Sequence, residues 1–167
     1  MDELSAGLAT NRAVTEALIL RAEQAAANWT TPRAPGKWTP AQVMEHVARA
    51  LGESANVING VPDKYPTLPG FLRPLMRRLF FDRTVRKGTF PRAKTSRALD
   101  PEEGPESPAA ARARVSRALD RFEEACRARA TAGAIVESKV WGRVELGEYI
   151  KFTELHTRHH TEQIPTD

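Results

Sequence analysis

Apolar side chains recur at three- and four-residue steps in every long segment of this chain, which is the period of a helix with one buried face. Leu4, Leu8, Thr15, Leu18, Ile19, Ala22 and Ala26 mark a first helix over 3–27, and the proline- and glycine-bearing stretch 30–37 must be a loop. A second helix over 40–58 is announced by Thr39-Pro40-Ala41-Gln42, an N-cap, a first-position proline and a glutamine placed to close a capping box. Its core face is Val43, His46, Val47, Ala50, Leu51, Ser54, Val57 and Ile58, and Asn59-Gly60 supplies a left-handed stop. Ser107-Pro108 opens a third helix over 107–131, with Ala111, Val115, Leu119, Phe122 and Cys126 facing inward and Gly133 ending it. The fourth, over 146–163, presents Leu146, Tyr149, Ile150, Thr153, His156, His160 and Ile164.

Between the second and third helices the pattern breaks. Seven prolines fall between positions 62 and 105, leaving room for one short helix over 71–82, FLRPLMRRLFFD, which Pro74 should interrupt. A connection of this length inside one domain is unusual and often forms a lid or pocket wall. Lys139-Val140-Trp141 reads as a short extended piece before a turn at Gly142. Four long helices with one extended middle crossover predict an all-α, four-helix-bundle protein in a single domain, 1–167.

Composition narrows the function classes. No apolar run is long enough to cross a bilayer, and the first residues are acidic where a secretory leader needs basic ones, so a cytoplasmic protein is expected. The single cysteine, Cys126, lies on an apolar stripe and reads as a buried thiol. Net charge is +4, yet residues 61–97 alone carry ten basic and two acidic side chains. That segment, with Arg73, Arg77, Arg78, Arg83, Arg86, Lys87, Arg92, Lys94 and Arg97, is either a solvated arginine-rich surface or a site for an anionic ligand, nucleic acid or membrane. Arginine outnumbers lysine 19 to 6 across the chain, which favours the first. The few aromatics and the interrupting Pro74 argue against nucleic acid and membrane.

The candidate chemistry lies in the histidines. Helical residues four apart differ by about 40° in direction, so His156 and His160 point the same way, onto the buried stripe. This is the spacing by which a zinc-protease helix offers two imidazoles to one ion, but the catalytic glutamate of that pattern is missing. His46 takes a core position on the second helix. Three separately hydrogen-bonded core imidazoles are one explanation; a shared metal, which satisfies all three and leaves positions for water or substrate, is the favoured one. His159 falls on the flank of the fourth helix, and Gln163 lies on the ligand face, where it could orient a ligand or sit as a surface amide. Glu45 and Glu154 should point away from the histidines, and Glu162 should be solvated. Trp38 and Trp141, each at the start of a histidine-bearing helix, are core or cap residues that could border a pocket, and Trp29 should pack at one end.

Three segments resemble the DinB-like family of metal-binding bundles: WTPAQVMEHVARA at 38–50, HTRHHTEQI at 156–164, and WGRVELGEYIKF at 141–152 leading into the latter. The first and third helices match only as generic amphipathic helices. The resemblance implies an up-down-down-up bundle, a homodimer, and His46, His156 and His160 as ligands of zinc or nickel. It further implies a small-molecule substrate and a metal that activates water or a small thiol for transfer or hydrolysis. A metal-containing binding or sensing domain without turnover is the alternative, since no general base is evident beside the histidines.

Overall fold

The computed structural model describes residues 2–91 and 95–165. They are mostly helical: α1 (Glu3–Gln24), α2 (Pro40–Asn59), α5 (Pro108–Thr131) and α6 (Leu146–Thr161) are the long elements. The short α3 (Arg73–Met76) and α4 (Asp82–Lys87) lie in the crossover, and a hairpin pairs β1 (Ile135–Ser138) with β2 (Gly142–Glu145). Helix α2 packs mainly on α5, α1 packs on α6 and α5, and α2 also touches α6. No helix among the described residues is long and apolar enough to cross a membrane.

The ends of the long helices follow their sequence signals. Thr39 Oγ1 accepts the Gln42 amide at 3.1 Å while Gln42 Oε1 accepts the Thr39 amide at 3.0 Å, so the capping box is closed. Gly60 ends α2 at φ 69°, and Ser107 caps α5 by accepting the Ala110 amide. The inward faces read from the sequence on α2 and α5 are buried throughout, Cys126 included. On α1 the periodicity passed over Asn11, which is fully buried. Its Nδ2 donates to the Ile150 carbonyl at 2.9 Å and so fastens α1 to α6.

Three expectations need correction. The first helix stops at Gln24, and a 3-10 turn over Ala26–Asn28 replaces its last residues. The extended piece expected at 139–141 is instead the turn of the hairpin, whose strands flank it on both sides. Pro74 interrupts nothing, because it sits in the first turn of α3, where a missing N–H leaves no hydrogen bond unmade. Helical backbone then continues through a π turn, Arg77–Phe81, into α4, until Gly88 at φ 66° ends it.

The far end of the crossover is strapped across α2. Gln42 Nε2 donates to the Glu102 carbonyl at 3.1 Å and Arg49 to the Asp100 carbonyl at 3.2 Å. Gly104 permits this approach: a Cβ there would lie 2.2 Å from the Ala41 carbonyl carbon and 2.3 Å from its oxygen. Backbone cannot yield as a flexible side chain can. Gly104→Ala should therefore lift the strap and lower the unfolding free energy by about 1–3 kcal/mol. Urea unfolding followed by circular dichroism measures this, and a variant as stable as the parent would contradict the close packing.

Candidate metal centre

Helices α2 and α6 bring His46, His156 and His160 together, with one ring nitrogen from each within 4.8 Å of the others. The atoms that meet are all Nε2: His46 to His156 at 3.1 Å and His160 to His156 at 3.2 Å. Their far nitrogens are held from behind. Leu99, on the strap, presents its carbonyl 2.8 Å from His46 Nδ1, and Gln163 Oε1 lies 3.0 Å from His160 Nδ1. Both oxygens only accept, so both Nδ1 atoms carry the hydrogen and both Nε2 atoms are bare lone pairs. His46 and His160 are buried and His156 is partly exposed.

The imidazoles are neutral. Burial pushes the His46 pKa down to about 4, against a smaller upward pull from the Leu99 carbonyl. Burial, then the neighbouring histidines, pushes His156 well below the ordinary value. Burial and His46 do the same for His160. Three neutral donors converging on one point leave an imbalance. A single hydrogen on His156 Nε2 can fully serve one of the two bare lone pairs, whereas a cation serves all three nitrogens. In tetrahedral coordination at about 2.0–2.1 Å, neighbouring ligand nitrogens stand about 3.3 Å apart, close to the separations found here. The backing of His46 by a carbonyl and of His160 by an amide is the support that metal-ligating histidines generally receive. The residues present therefore fit a divalent ion.

The flanking residues divide as their helical phase required. Gln163 bridges two histidines, since its Nε2 donates to His159 Nε2 at 3.0 Å while its oxygen takes the His160 hydrogen. His159 thus stands behind the cluster and outside it. Glu45 turns away to Arg114 and Arg49. Burial raises its carboxyl, but the arginine hydrogen bonds outweigh burial and hold it below the ordinary range. Glu154 is likewise turned to Lys151 and Arg158, with the same balance of causes. Both carboxylates are ionised and engaged, and Glu162 lies at the rim of the cavity next to the site.

That cavity holds about 1180 Å³ and opens beside the three histidines. Trp38 covers one side of the site, its ring 4.7 Å from His46 and 5.8 Å from His160. Trp141, in the hairpin turn, stacks on Phe80 at 5.6 Å and also lines the cavity. Trp29 packs elsewhere, its Nε1 donating to the Pro105 carbonyl. The crossover contributes Met76, Phe80 and Phe90 to the lining, but among the described residues none of its cations. Arg73 donates to the Leu68 carbonyl, and Arg77 pairs with Asp82 and Glu148. Arg78, Arg83, Arg86, Lys87 and Arg97 are exposed, and Arg92 and Lys94 lie outside the described residues. Sequence reasoning missed the Leu99 carbonyl, which carries no residue signature, and the aromatic wall. Trp38, Trp141 and the pair Phe80-Phe81 were its visible traces.

A family model described as the DinB superfamily matches residues 8–164, a span that contains all three histidines and nearly all of the four long helices. No curated protein and no solved structure matches the chain.

Proposed function

The chain belongs to the DinB superfamily, and from that premise we propose that it is a metal-dependent enzyme acting on a small molecule. The convergence of three Nε2 lone pairs, two of them fixed from behind by Leu99 and Gln163, carries this reading. His46, His156 and His160 would hold the ion. Zinc suits three neutral nitrogens with an open position, and nickel also binds imidazole well, so geometry and supply decide between them. A divalent ion there supplies Lewis acidity, which makes water or a small thiol a better nucleophile near neutral pH.

The remaining residues act by position. Trp38 and the Phe90 ring, 5.0 Å from His156, exclude bulk water from two sides. Gln163 holds His160 in one tautomer and one orientation. The up-down-down-up bundle order, the homodimer and the cytoplasmic location expected from sequence belong to the same proposal; light scattering showing only an 18.5 kDa species would remove the dimer.

A second reading, a binding or sensing domain without turnover, is favoured by one observation: the two buried carboxylates nearest in sequence to the ligands are locked in ion pairs and cannot serve as a base. Turnover separates the two. Protein stripped with a chelator and reloaded with zinc or nickel is assayed against activated esters, and against electrophiles with a small thiol present. Metal-dependent turnover that is lost on stripping and restored on reloading is expected. Absence of turnover in a protein that retains its metal would leave the binding domain.

A further inference from the structure

The cavity has a second polar end that plays no part in holding the ion. Ser54 lies eight residues after His46 on α2, and Tyr149 lies seven before His156 on α6. At 1.5 Å per residue these intervals put them about 12 Å and about 10.5 Å along their helices from the site. Both side chains line the cavity, and Tyr65 from the crossover joins them there. The Ser54 hydroxyl lies close enough to act on both the Tyr65 and the Tyr149 phenol. Three hydroxyls carry three hydrogens, and two bonds centred on Ser54 would use two of them. One O–H is therefore left over to donate outside the trio.

We propose that Ser54, Tyr65 and Tyr149 form a hydroxyl pole that binds an uncharged acceptor group, a carbonyl or amide, at the far end of an elongated aromatic ligand whose near end meets the histidines. The wall between the poles sets the aromatic character. Phe90 and Phe152 line it next to His156, with ring contacts of 5.0 and 5.2 Å, and Phe81, buried behind the wall, carries the stack on to Tyr149 at 4.8 and 6.3 Å. Flat rings pack on such a wall at little conformational cost. The pole suits a neutral group because its members stay protonated: burial pushes Tyr65 up to about 12 and Tyr149 well above its ordinary value. Asp63, whose charge acts on both phenols, is engaged by Lys139 at 3.2 Å and does not compensate a cation. The cation beside this pole, Lys139, is already taken up by Asp63, so an anionic far end gains little there. The near end of the ligand rests on the metal reading above; the pole does not.

Two titrations test the inference. On zinc-loaded protein, calorimetry compares acetohydroxamate, benzohydroxamate, 4-acetamidobenzohydroxamate and 4-carboxybenzohydroxamate. Benzohydroxamate should bind at least about tenfold tighter than acetohydroxamate, a ring's worth of burial. The acetamido group should add about two- to tenfold, one hydrogen bond's worth, and the carboxylate should lose affinity. A Tyr65→Phe/Tyr149→Phe variant should erase the acetamido gain and leave benzohydroxamate within about twofold, since only the hydroxyls are removed. On metal-free protein, the neutral dye N-phenyl-1-naphthylamine should fluoresce in the cavity and lose its signal in Trp141→Ala. Acetanilide should displace the dye better than ethylbenzene in the parent, but not in the double variant. Preference for the carboxylate, or an acetamido or acetanilide gain that survives the double variant, overturns the inference. If zinc is not retained, the metal reading has failed and the dye competition alone decides the pole. If circular dichroism shows the double variant unfolded, Ser54→Ala replaces it with the same expected losses.

Discussion

After chelator washing and reloading with zinc, the parent protein should hold about one ion per chain, and a His46→Ala/His156→Ala/His160→Ala variant should hold none. Elemental analysis of dialysed samples measures this. The size of the effect follows from the donor count. Three imidazoles make an affinity that no pair of them approaches, and the two buried carboxylates nearest in sequence, Glu45 and Glu154, are held by cations and not free to replace one. His160→Ala alone should already release most of the metal, with helical content nearly unchanged, since its ring–ring contacts are with Trp38 and the other histidines. His159→Ala should retain the ion, for that ring stands outside the cluster, edge-on to His160 at 5.2 Å and bonded to Gln163. Gln163→Leu should weaken binding by about 10- to 100-fold, the usual cost of removing a group that fixes a ligating histidine. Equal metal in the parent and the triple variant would defeat the site. Loss of metal in His159→Ala with retention in His160→Ala would mean that the helical phase is wrong by one residue.

The phase was readable because it depends only on local geometry. His156 and His160 share a direction, and His159 does not, for any regular helix carrying this stretch. His46 joined them because a histidine among Val43, Val47, Ala50 and Leu51 had to face inward with them. What supports His46 was not readable, although Gln163, which backs His160, already stood out on the ligand face. The hydrogen-bond partner of His46 is a backbone carbonyl 53 residues away, and any residue at position 99 could supply it. Gly104 is what allows that strap to lie close, yet in the sequence it is one glycine among prolines. The hairpin was lost for a related reason. Its strands are four residues each, too short for alternation to stand out, and the apolar Val140-Trp141 that looked extended is the turn itself. In the crossover the arginines stand out in the sequence, while the side chains it sends into the cavity include Met76, Phe80 and Phe90 and, among the described residues, none of its cations.

Phe81→Ala should lower the unfolding free energy by about 3–5 kcal/mol, the cost of emptying a fully buried phenylalanine site. The neighbouring Phe80→Ala should cost less than half as much, because Phe80 keeps partial access to solvent. Their shared direction comes from the π turn, Arg77–Phe81. A turn wider than the α-helical one brings successive side chains nearer to one side, so two adjacent rings both face inward. Phe81 takes the inner place, stacked on Phe152 at 4.8 Å and within 6.3 Å of Tyr149, and it anchors the crossover to α6. Phe80 takes the outer place, stacked on Trp141 at the cavity wall. The two variants should therefore part in opposite ways. Phe81→Ala should shift the urea midpoint strongly, yet keep its metal under folding conditions, since it touches none of the three ligands. Phe80→Ala should barely shift the midpoint but weaken binding of the naphthyl dye. Equal shifts from both, or a loss below about 1 kcal/mol for Phe81→Ala, would mean that the crossover is not fastened to the core where this packing places it.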